Sequence, residues 1–163
     1  VLTAIFTPLF ALLLLISAVG YGVLRPTDEF NRDLLVVFDV LLMVVVGLVV
    51  YGISARDPER PRGVMDALRF VAVAAAIILD VLVLVLMFVR VGELGFTPNR
   101  VAALGLNLVL LVNLLGTAWF AGRQLFAGAS AAHVERWQTG YLPVFAGWLA
   151  VVVLVLPPVF AFA

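Results

Sequence analysis

The 163-residue chain predicts an all-α integral membrane bundle of about five transmembrane helices, a fold class that rests on three observations. Hydrophobic residues make up 65% of the chain and charged residues 12%, where a soluble domain carries about a quarter. The apolar residues fall in runs of about 20, the length a helix needs to cross a hydrocarbon layer ~30 Å thick. The runs are continuous rather than alternating, so they are not barrel strands, and lipid offers the backbone no partners outside a helix despite their wealth of valine.

Taken in order, the expected spans are 1–24, 34–53, 67–89, 101–122 and 142–163, in a single transmembrane domain over 1–163. Arg25-Pro26 ends the first, and Thr27 followed by Asp28 and Glu29 reads as a cap for the second. Pro58, Pro61 and alternating charge make 54–63 an exposed hinge. Gly95 supplies a turn, Thr97 a cap and Pro98 the first helical position of the fourth span. The longest connection, 123–141, carries a short interfacial helix at 130–138, with Trp137 and Tyr141 suited to the headgroup layer. Pro157-Pro158 should break or kink the last helix after Leu156 unless neighbouring helices resatisfy its backbone. The start at Val1 without a methionine and the apolar end leave two readings, a trimmed chain or a piece of a longer polytopic protein.

Several chemistries are excluded by residue content. Ten arginines balance ten acids, so no basic patch recruits nucleic acid. With no cysteine there is no disulfide, thiolate nucleophile or iron–sulfur ligand. Lysine is absent, which removes Schiff-base chemistry. His133 is the single histidine, so bis-histidine haem ligation and two-histidine zinc motifs are impossible within one chain. No cofactor is expected.

The polar residues inside the spans are the candidate site: Asp39, Asp80, Asn107 and Asn113. A charged side chain at the bilayer centre costs at least about 2.5–3.5 kcal/mol, so something must offset each carboxylate. At 1.5 Å per residue Asp39 lies about 8 Å and Asp80 about 14 Å from one membrane surface, and Asn107 and Asn113 lie about 9 and 18 Å below that same surface. Antiparallel packing then lets Asp39 meet Asn107 and Asp80 meet Asn113. Either these groups form a protonatable proton or cation site, or they are interhelix hydrogen bonds worth about 0.6–2 kcal/mol each. Asn113 and Thr117, four apart, read as a helix contact. Small residues four apart, Ala18/Gly22, Ala72/Ala76, Ala118/Gly122 and Ala146/Ala150, permit close helix approach. His133 reads as a solvated loop residue, and Trp119 and Trp148 as belt or packing residues.

Residues 90–101, with Arg90, Glu93, Gly95, Phe96, Thr97, Asn99 and Arg100 in an Arg-x-x-Glu-x-Gly-aromatic-Thr-x-Asn-Arg pattern, resemble a stretch of a bacterial family of many-pass membrane proteins of unassigned activity. The likeness covers the third and fourth spans. It implies a multi-pass protein of the bacterial inner membrane and no particular activity. From the residues alone, Arg90 and Arg100 anchor two helix ends at one interface.

The expected function is non-enzymatic: an accessory or scaffold module of a larger membrane assembly, whose partners are the lipid bilayer and another membrane protein or the remainder of its own chain. The alternative is part of a proton- or cation-coupled transporter using Asp80 and Asp39. A lipid-modifying enzyme would have only Glu93, Glu135 and His133 at the interface for acid–base work. Six arginines (Arg56, Arg60, Arg62, Arg69, Arg123, Arg136) flank the second and fourth loops and four (Arg25, Arg32, Arg90, Arg100) the first and third, which places the former in the cytoplasm. Cysteine introduced at Ser54 or Ala55 should therefore react with an impermeant label only after the inner face is exposed; labelling of intact cells would reverse the orientation.

Overall fold

The computed structural model describes residues 63–161 continuously, with isolated helical positions between Phe6 and Tyr51. The expected spans at 1–24 and 34–53, Asp39, the Thr27 cap and the hinge up to Arg62 lie outside the described residues. Within them the chain is helical, without a strand: α1 (Val64–Leu94), α2 (Pro98–Ala127) and α3 (Ala132–Ala150), the last continued by a π-turn (Val151–Val155) and a final turn, α4 (Leu156–Val159). Three helices, Asp66–Leu94, Pro98–Ala127 and Ala132–Val159, are long and apolar enough to cross a membrane.

Each helix boundary has a local cause. Asp66, three residues into α1, accepts from the Gly63 amide at 3.3 Å and lies 3.7 Å from Arg69. At the other end Gly95 adopts φ +75°, a conformation glycine takes without Cβ strain, and its amide closes on the Val91 carbonyl at 2.9 Å. Two residues later the Thr97 hydroxyl accepts from the Arg100 amide at 3.4 Å, and Pro98 occupies the first turn of α2, where a missing N–H costs nothing. The Arg100 guanidinium folds back to donate to the carbonyls of Leu94 and Gly95, both at 2.8 Å, so one side chain seals the end of α1. Gly128, left-handed at φ 78°, ends α2, with the Ala129 amide reaching back to Arg123.

Two expectations are corrected. Residues 130–138 do not form a separate interfacial helix: the turn after Gly128 is short, and α3 starts at Ala132 rather than at 142. Its polar first turns are held against α2 by side-chain bonds, which hydropathy does not register. Nor does the helix break after Leu156. The disturbance precedes it as the π-turn, where the Leu156 amide bonds to Val151 five residues back, and helix resumes through Val159. Neither proline can donate to the preceding turn, and widening that turn accommodates their rings.

The core lies between α1 and α2. Val73, Ala76, Leu79, Val83 and Met87 form the buried stripe of α1 that packs with Leu110 and Leu114. Ala72 and Ala76 are fully buried, as their spacing led one to expect, and the Phe70 ring lies 3.3 Å from the Cβ position at Gly122. Phe10 also packs on this core. Half of the apolar window of α1 is buried, against 6% for α3. Replacing Thr97 with Ala should lower stability by about 0.5–1 kcal/mol, the lower part of the capping range because the bond is long, without preventing insertion. An unchanged unfolding midpoint in detergent titration would show that Pro98 alone sets the helix start.

Candidate intramembrane polar site

The register of the helices decides which polar residues meet. Between α1 and α2 the Asn107 amide faces the Met87 sulfur at 3.7 Å, and Phe70 covers Gly122. Those contacts bring Asp80 to about the depth of Asn113. Asp80 is fully buried on the α1 stripe between Ala76 and Val83. Asn107 is fully buried too, and its amide also donates to the Ala103 carbonyl at 3.1 Å.

The carboxamide of Asn113, however, is engaged with α3. Asn113 Nδ2 donates to Gln138 Oε1 at 3.2 Å, and Gln138 Nε2 donates to Asn113 Oδ1 at 3.3 Å and to the Thr117 hydroxyl oxygen. Thr117 in turn donates to the Asn113 carbonyl at 2.8 Å. This two-way amide pair is buried at both ends. Its members bond mainly to one another, an arrangement that removes most of the cost of placing amides in a low-dielectric interior.

Around it runs a ladder of aromatic donors. Trp137 Nε1 donates to the Asn113 carbonyl at 3.0 Å, Tyr141 Oη to Val109 at 2.9 Å, and Trp148 Nε1 to Ala102 at 3.3 Å. Each step of four or seven along α3 is matched by the same step backwards along α2, so the three bonds specify one antiparallel register. Trp137 and Tyr141 thus lie in a helix contact rather than facing outward to headgroups, while Trp119 is 65% exposed. Two glycines make room: a Cβ at Gly105 would fall inside the Trp148 ring, and one at Gly116 inside the Trp137 ring. Gly105 and Gly116 are eleven apart, as are Trp137 and Trp148, and eleven residues is close to three helical turns.

Gln138 and the two glycines were not singled out from sequence. The matched eleven-residue spacings of Gly and Trp were the available signal. Arg90 is half-buried near the end of α1 and Arg100 is the cap described above. Among the described residues no three His, Asp or Glu side chains gather as a metal-binding group. Comparison with known protein families, with curated proteins and with solved structures found no match.

Substituting Gln138 by Leu leaves the Asn113 amide buried with its partner removed and should cost about 1–3 kcal/mol. Adding Asn113→Leu should recover most of that loss, because both polar groups then leave together. A double variant as unstable as the sum of the singles would mean the pair is not coupled.

Proposed function

We propose that the chain is a non-enzymatic, multi-pass accessory or scaffold module of a larger membrane assembly, with about five spans and a place in the bacterial inner membrane. The observation that carries this reading is the amide pair of Asn113 and Gln138. Asn113 of α2 and Gln138 of α3, both buried, spend their side-chain hydrogen bonds on joining those helices. A translocation site instead turns such groups toward a hydrated path, beside broken helices whose ends bind the cargo. α3, only 6% buried along its apolar window, offers a broad outward face to a membrane partner. The likeness of residues 90–101 to an inner-membrane family supports the location.

A second reading, a proton- or cation-coupled transporter component, draws on Asp80, a carboxyl group fully enclosed at the level of Asn113. Asp80→Asn distinguishes the two, since an amide keeps size and hydrogen bonding but cannot release a proton. In reconstituted vesicles we expect no proton or cation flux from wild type or from Asp80→Asn. Flux in wild type that is lost in Asp80→Asn would replace the accessory reading with the transporter.

A further inference from the structure

The outward face of α3 carries charge level with an exposed apolar stretch of α2. The aromatic ladder sets Trp137 against Asn113, so Glu135 and Arg136 stand level with Leu114 and Leu115 of α2. At that level α2 turns Val112 and Leu115 outward, 51% and 50% exposed. Glu135 and Arg136 are exposed beside them and form no ion pair among the described residues. Charge facing hydrocarbon is expensive and calls for a compensating group.

The same face continues in a form suited to a close neighbour. At 100° per residue Thr139, Pro143 and Ala150 line a strip of α3 between Glu135 and Arg136, away from Gln138 and Tyr141, with Gly147 at its edge beyond Arg136. Space around Gly147 is open, in contrast to the ring-filled glycines of α2. Pro143 has no N–H, so the Thr139 carbonyl lacks its usual donor four residues on. A carbonyl left this way in lipid seeks a donor from outside its helix.

We infer that α3 packs against α3 of a second copy of this chain, in a parallel two-fold dimer whose axis runs along the membrane normal. Complementarity of charge selects this occupant. Glu135 and Arg136 lie on opposite flanks of the face at nearly one depth. A two-fold rotation brings each arginine to the partner's glutamate and makes two crossed ion pairs. The small side chains below let the backbones approach, as in membrane helix pairs with small residues four apart. The inference goes beyond the accessory reading and does not rest on it, because a transporter could dimerise through the same face.

The test uses the full chain in membranes, where the absence of cysteine lets one introduced thiol report one contact. Under mild oxidation Thr139→Cys and Ala150→Cys should each give a disulfide-linked dimer, and Leu115→Cys on the lipid face of α2 should not. Placed in the Ala150→Cys background, Arg136→Glu or Glu135→Arg should abolish the link, and the two reversals together should restore it. Should a single reversal fail to insert, the double reversal decides alone and must link like its parent. No dimer from either α3 position, equal linking at Leu115→Cys, or links only to a different protein would overturn the proposal. So would single reversals that link normally. Flux measurements judge the accessory reading separately: a dimer that conducts sinks that reading only, and a silent monomer sinks this one only.

Discussion

Hydrocarbon offers no hydrogen bonds, and that constraint governs every polar group between the helix ends of this chain. Backbone groups meet it by forming helices, and side chains must meet it with one another. At the α2–α3 contact the solution is the Asn113–Gln138 amide pair with Thr117, flanked by indole and phenol donors that add second bonds to carbonyls of α2. A shift of α3 by one turn would strand all these donors together. The contact is therefore strongly specified in register.

The α1–α2 contact is of another kind. It relies on alanines, leucines and valines, with Phe70 over Gly122 at one end and Met87 beside Asn107 at the other. In lipid such a surface gains little from leaving its solvent, so close packing must hold it. The small side chain of Ala76 serves that need. Asp80 is fully buried on the α1 stripe, at about the depth of the amide pair.

The register of α3 also explains its outer surface. Because its hydrogen-bonded half begins at Ala132, its first charged residues lie beside an apolar stretch of α2, and its most apolar half reaches the level of Thr97 and beyond. The helix is held by the bonds of Trp137, Gln138, Tyr141 and Trp148, while Leu149, Val153, Leu154 and Val155 beyond them are exposed. Such a helix is placed by the bonds it makes, and its hydropathy then decides what else must cover it.

Much of the fold was legible in the residues. Continuous apolar runs imply helices in lipid because the backbone has no alternative there, and Gly95, Thr97 and Pro98 mark their turn because each answers a local steric or hydrogen-bond demand. Rise per residue alone put Asp80 about 14 Å and Asn113 about 18 Å from one surface, near enough to meet. The partner of Asn113 did not, since side-chain pairing depends on which faces two helices turn to each other, and hydropathy is silent about Gln138. Trp137 and Tyr141 were read as headgroup anchors because amphipathic rings suit that layer. Only the packed helices, with Gly105 and Gly116 opened beneath the indoles, could turn the same N–H and O–H groups inward onto backbone carbonyls.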